Sequence, residues 1–132
     1  MFIILTSINF NDYIMYMEID LIYKEFGRLL KKNRTEAGLT QEALAKRVGL
    51  SRTSITNIEK GRQHINLHML YVLSDSIGVR PSGLMPDKDI VDLDINLNKV
   101  LLKANISEDA GIDWIKRRII DGIAKEGKNE EN

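Results

Sequence analysis

The chain has 132 residues, 43% hydrophobic and 29% charged, which suits one globular domain with appendages. It has no cysteine, which excludes disulfides, zinc–thiolate centres and thiol catalysis and fits a reducing, cytoplasmic setting. Its net charge of zero conceals a partition: ten lysines and arginines against four carboxylates from Lys24 to His64, a net +6, and eight against eleven from Asp87 to Asn132, a net −3.

In chain order, Met1 to Ile8 is largely apolar but lacks the basic start of a secretory signal and is too short to span a bilayer, so neither export nor a membrane anchor is expected. Residues 1–19 are either an N-terminal arm or a segment upstream of a true start at Met15 or Met17. Residues 20–86 hold a run of short helices. Asp20 is placed to cap the first, which carries Leu21, Ile22, Phe26, Leu29, Leu30 and Ala37 at helical spacing and stops at Gly38. Thr40 caps Gln41 to Val48, closed by Gly49. Ser51 caps a third helix to about Lys60, stopped by Gly61. Asn66 caps Leu67 to Ile77, closed by Gly78, and Pro81 suits the first turn of a short fifth helix before Pro86.

Residues 87–106 form a linker or small extension. Ile90, Val91, Leu93, Ile95 and Leu97 partly alternate with Asp92, Asp94 and Asn96, the pattern of a strand or an extended segment, and Asn98 to Asn105 is a candidate short helix. Ser107-Glu108-Asp109 opens an amphipathic helix over 107–126, with Ile112, Ile115, Ile119, Ile120 and Ile123 on one stripe and Trp114 beside it. Residues 127–132 are expected to be a disordered tail. No internal repeat is present.

The informative stretch runs from Thr40-Gln-Glu-Ala-Leu-Ala-Lys-Arg-Val-Gly-Leu-Ser through Arg-Thr-Ser-Ile-Thr-Asn-Ile-Glu-Lys to Gly61. Two short helices crossing steeply through a tight turn need a small residue where they touch, which is Ala45. They need a permissive residue in the turn, which is Gly49. They also need spaced apolar contacts, which are Leu44 and Val48 on one helix and Ile55 and Ile58 on the other. From Phe26 to Pro86, with the run Gly-Leu-Ser-Arg-Thr-Ser-Ile-Thr-Asn-Ile-Glu-Lys-Gly and the later Ile-Gly-Val-x-Pro-Ser-x-Leu-x-Pro, the chain resembles the phage-repressor and Cro-like helix-turn-helix family, also called the xenobiotic-response-element family.

The resemblance implies an all-α chain: a five-helix, lambda-repressor-like DNA-binding domain with a C-terminal helical extension, its third helix lying in the major groove of double-stranded DNA. Carried over by position, Arg52, Thr53, Thr56 and Asn57 face base edges. Their chemistry agrees, since Arg forks onto guanine, Asn bridges adenine and Thr meets a thymine methyl. Gln41, Ser51, Ser54, Lys60, Arg62 and Gln63 are the candidate phosphate contacts, Gln41 through the backbone N–H groups that open its helix. Arg34 and Glu59 match a structural ion pair, which could also hold Arg34 near a phosphate.

His64 and His68 are four apart, but His-Ile-Asn-Leu-His lacks the glutamate of the metallopeptidase motif, and His64 precedes the Asn66-capped helix, so no metal is expected. His64 near a phosphate is the better reading. No cofactor is implied. No paired carboxylates, Ser/His constellation or phosphate-cradling glycine loop suggests an enzyme.

A transcriptional regulator, expected to be a repressor, would bind a palindromic operator as a homodimer, with Ile112, Ile115, Ile119 and Ile123 as the dimerisation candidates. That stripe either pairs with a second copy, the favoured reading, or folds back on the five-helix core. The competing reading is an antitoxin or protein-interaction module whose DNA binding is secondary. Its partner would be the product of a neighbouring gene, a toxin or a metallopeptidase.

Overall fold

The structure, a computed structural model, describes residues 10–104 and 110–127, whose regular elements are all helices. The apolar stretch Met1 to Ile8, the helix opening Ser107-Glu108-Asp109 and the tail after Gly127 lie outside the described residues. The chain divides into two compact units, at Pro86/Asp87.

The first unit contains α1 (Phe10–Glu36), α2 (Gln41–Val48), α3 (Arg52–Glu59), α4 (Leu67–Ile77) and a 3-10 turn at Pro81–Gly83. Local chemistry sets most of these boundaries. The Thr40 hydroxyl oxygen accepts from the Ala43 N–H (3.0 Å), the Ser51 hydroxyl oxygen from the Ser54 N–H (3.0 Å) and the Asn66 side-chain Oδ1 from the Met69 N–H (2.8 Å). Each such cap satisfies an otherwise orphaned donor and is worth about 1 kcal/mol. Gly49 (φ 70°) ends α2 in the left-handed region, where a side chain would be strained.

The sequence expectations need correction at three places. Asp20 does not cap the first helix. It lies inside α1, which begins at Phe10, so residues 10–19 of the expected arm are helical. No proline and a single glycine interrupt Phe10 to Glu36, so nothing local stops the helix from propagating past a residue that merely could cap it. The fifth helix is only the three-residue 3-10 turn, with Pro81 at its start. The 90–97 segment is neither strand nor linker. It is part of α5 (Lys88–Lys103), because Val91, Ile95 and Asn98 recur at helical spacing and form its buried face.

The core of the first unit is built from Phe26 and Leu30 of α1, Leu44 and Ala45 of α2, Ile55 and Ile58 of α3, Leu70 and Leu73 of α4, and Leu84 just past the 3-10 turn. Ala45 is buried where α2 and α3 pack together, and Val48 lines the same cluster. Arg47 reaches from α2 to the Ser76 carbonyl near the end of α4 (2.9 Å).

In the second unit α5 packs against α6 (Ala110–Gly127). Val91, Ile95 and Ile120 are buried, and so is Lys116. The Lys116 ammonium donates to the Asn98 side-chain Oδ1 and lies 3.5 Å from Asp94 and 3.7 Å from Asp113. A buried ammonium requires such neighbours, since an uncompensated one would cost several kcal/mol.

Candidate nucleic-acid interface

Helix α3 divides sharply. Ile55, Ile58 and Glu59 are buried, whereas Arg52, Thr53 and Lys60 are exposed and Thr56 and Asn57 half-buried. Positions 52, 53, 56, 57 and 60 fall on one side of a 3.6-residue helix, so the candidate base-reading residues share a face. The side chains of Arg52, Thr53 and Asn57 have no hydrogen-bond partner among the described residues. Thr56 differs. Its hydroxyl lies 3.1 Å from the Gln41 Oε1 and 3.0 Å from the Arg52 carbonyl, and its one hydrogen serves one of these inward acceptors.

Glu59 anchors this helix from behind. Its side chain, 3% exposed, accepts from Arg34 Nε (2.5 Å) and from a second Arg34 nitrogen (3.2 Å), and also from Gln41 Nε2 (2.8 Å). Arg34 donates a further bond to the Leu39 carbonyl (2.6 Å). One carboxylate therefore joins α1, α2 and α3. Such a network stabilises little, because desolvation offsets the attraction, but it fixes orientation. Arg34 is itself buried, which removes it from the surface where a phosphate would sit.

The remaining phosphate candidates separate by how much of each is committed. Ser51 and Ser54 bond to one another, hydroxyl to hydroxyl (3.0 Å), while Ser51 caps the helix. Gln41 uses its side chain within the network, so only its backbone N–H at the start of α2 is left for an anion. Lys60 and Arg62 are exposed and Gln63 half-buried. The backbone N–H groups of this loop turn back on α3: Lys60 to the Thr56 carbonyl (3.1 Å), Gly61 to Ile58 (3.0 Å), and Arg62 and Gln63 to Asn57 (2.9 and 3.2 Å). The loop thus offers side chains, not amides.

His64 stacks on Tyr23 of α1, with ring centroids 3.9 Å apart and planes within 8°. Among the described residues no three groups of the types that ligate metals come together, and no helix is long and apolar enough to cross a membrane.

Two features of the site escape residue-by-residue reading. A Cβ on Gly27 would lie 2.4 Å from the Glu59 carbonyl oxygen and 2.5 Å from that of Ile58, so α1 meets the end of α3 backbone to backbone. A lone glycine inside an otherwise helix-forming run was the signal for it. The Gln41–Glu59 bond gave no signal, since it joins residues 18 apart in sequence. On α6, Ile115, Ile119 and Ile123 are exposed (51%, 43% and 47%), whereas Ile112 is half-buried and Ile120 lies beneath them in the packed face.

The helix-turn-helix family profile matches residues 30–84. An HTH-type transcriptional regulator of Methanothermobacter thermautotrophicus is 42% identical over 50 residues, covering 38% of this chain and 72% of that protein. The control protein C.MunI of a Mycoplasma species is 38% identical over 63 residues, 47% of this chain and 85% of that protein. The HTH-type transcriptional activator BcrR of Enterococcus faecalis is 33% identical over 79 residues, 60% of this chain and 39% of that protein. With its two capped helices packed at Ala45 and joined through the turn at Gly49, the chain belongs to the helix-turn-helix family and is a transcriptional regulator with a helix-turn-helix DNA-binding domain.

Proposed function

We propose that this regulator represses transcription by binding a palindromic operator as a homodimer, with α3 in the major groove. The observation that carries the reading is the unpartnered face of Arg52, Thr53 and Asn57, held by a buried network and flanked by Lys60 and Arg62. Arg52 and Asn57 supply the bidentate base contacts, and Thr56 its methyl. Lys60, Arg62 and Gln63 hold the sugar–phosphate backbone. Gln41 adds its helix-opening N–H, and Ser51 and Ser54 make at most secondary contacts.

One such domain covers little DNA, so two half-sites about one helical turn apart are the route to useful affinity. The link between copies is assigned to the exposed isoleucines of α6, with the half-buried Ile112 at the edge of the contact. Three isoleucines, each about half exposed, together with Trp114, are more apolar surface than a single copy gains by leaving in water.

The experiment is a titration of the full chain against a library of duplexes at several salt concentrations. Specific binding should appear as one selected inverted repeat. Lys60→Ala or Arg62→Ala should weaken every sequence about equally and lower the salt slope by roughly one unit per protomer, about two for the dimer. A mutant that changes base preference but keeps its slope would reassign these two residues.

Two observations favour second readings. The likeness to a protein named an activator makes promoter activation the alternative to repression, which a reporter with the selected site upstream or across a promoter separates. The exposed apolar face of α6 also suits a neighbouring-gene partner such as a toxin or a metallopeptidase. A monomer that acquires a defined complex only with that protein would favour this reading.

A further inference from the structure

We infer that α1 contributes a DNA-backbone contact of its own, Lys24, which extends the phosphate-binding surface from the loop after α3 onto the first helix. This rests on the reading of α3 and its loop as the DNA interface.

The motive is the way α1 meets that loop. Gly61, with φ at 71°, stands between Lys60 and Arg62. A Cβ there would lie 2.7 Å from the backbone nitrogen of Lys24, 2.8 Å from its Cα and 3.0 Å from its Cγ. Only glycine meets both demands, the positive φ and the close approach. The stem of Lys24 therefore runs against the residue flanked by the two loop cations.

Lys24 is exposed, and no carboxylate pairs with it among the described residues. Next to it in sequence, Tyr23 fixes the far half of the loop by stacking on His64 and donating its hydroxyl to the Ile65 carbonyl (3.5 Å). Glu25, on the other side, is buried and paired with Arg28 at 2.6 Å, so its charge is answered locally. Asp20, one turn earlier, is exposed and forms no ion pair with Lys24 among the described residues. The result is a cluster of Lys24, Lys60 and Arg62 with His64 at its edge, built from two elements 36 residues apart in sequence, as measured from Lys24 to Lys60. Tyr23 acts as a positioning residue and Lys24 as the contact. The partner is a phosphodiester backbone, met without regard to base sequence, since an ammonium on a flexible stem carries no base code.

The test uses the full chain with its selected duplex and an unrelated duplex, titrated between about 50 and 200 mM salt. Lys24→Gln should weaken both duplexes roughly fivefold per protomer and lower the salt slope by about 1.8, the counterion release of one phosphate for each of the two protomers. Lys24→Arg should keep the wild-type slope, and Lys125→Gln, which removes a charge from α6, should do nothing. Melting of each variant checks the fold. Lys60→Gln serves as the internal standard. If it lowers the slope and Lys24→Gln does not, Lys24 is an ordinary solvated lysine and the inference is overturned. A slope lost in Lys24→Gln and not restored in Lys24→Arg assigns the effect to packing on Gly61 and overturns it too. If Lys60→Gln and Arg62→Gln also leave the slope unchanged, the interface reading fails first, and this inference with it.

Discussion

Arg52 stands in the first turn of α3, exposed, with the Ser51 cap behind it and no partner for its side chain among the described residues. Its guanidinium is free to take a planar, bidentate acceptor, and guanine offers one in the major groove. Arg52→Ala should therefore lose roughly 1–3 kcal/mol of specific binding per half-site and relax the choice at one position in each. Selection of wild type and mutant on a randomised site reads both effects, and an unchanged base preference would remove Arg52 from the reading face. Gly27 works through packing instead. Adding a Cβ there drives it into the Glu59 and Ile58 carbonyls, and backbone cannot swing aside as a flexible side-chain end can. Alanine is the better helix former by about 1 kcal/mol, but overpacking of this kind typically costs about 1–3 kcal/mol or more, so Gly27→Ala should lower the melting temperature. A variant that melts at or above wild type would show that α1 and α3 separate more easily than their contact suggests.

At the scale of elements, what could be read beforehand followed the range of the signal. Thr40, Ser51 and Asn66 act within three residues, and so the starts of α2, α3 and α4 were legible. The start of α1 was not, because Asp20 presents a capping side chain in the middle of a stretch that is helical on both sides. Helix α5 was misread as extended because aspartates and asparagine interleave its apolar residues at a spacing that fits a period of two as well as 3.6. Burial of Val91, Ile95 and Asn98 against α6 decides for the helix. The α6 stripe was seen, but not that it divides between an inner face at Ile120 and an outer one at Ile115, Ile119 and Ile123. That outer face gives a direct prediction. Ile115→Asp with Ile119→Asp should leave helix content unchanged and abolish self-association in sedimentation, since neither residue is buried in its own chain. Loss of helix content, or a wild type already monomeric at tens of micromolar concentration (a few-micromolar Kd is roughly 7–8 kcal/mol), would place the partner elsewhere. The α2–α3 contact gives another. Ala45→Leu should cost about 1–3 kcal/mol, read as a lower midpoint in denaturant, because Ala45 is buried in the core and a larger side chain there has to displace its neighbours.

Across the whole molecule, charge and core are divided between the two units. The basic segment and the candidate DNA face lie in the first, and the acidic segment with the exposed isoleucines in the second. Each unit has buried residues of its own, from Leu30 to Leu84 in one and from Val91 to Ile120 in the other. A chain stopped after Asp87 should therefore keep its helices and its affinity for a single half-site. It should lose affinity for the full inverted repeat by roughly 10²- to 10⁴-fold, the gain that tethering two binding modules confers. Calorimetric melting together with titration of half and full sites measures both parts. Equal loss on both sites would mean that the second unit supports the first rather than linking two copies.

The loop from Lys60 to Gln63 runs on the surface, yet all four of its amides are bonded to carbonyls of α3. An exposed loop usually exchanges its amide hydrogens with solvent in step with its own local opening, whereas these four are tied to the unravelling of a helix end held by Glu59. They should exchange slowly in the free protein, at rates close to those of α3, and binding of DNA should slow them little further. A loop already in its bound shape has little ordering left to do on encounter, so association should proceed in a single kinetic phase, its rate set by charge and diffusion.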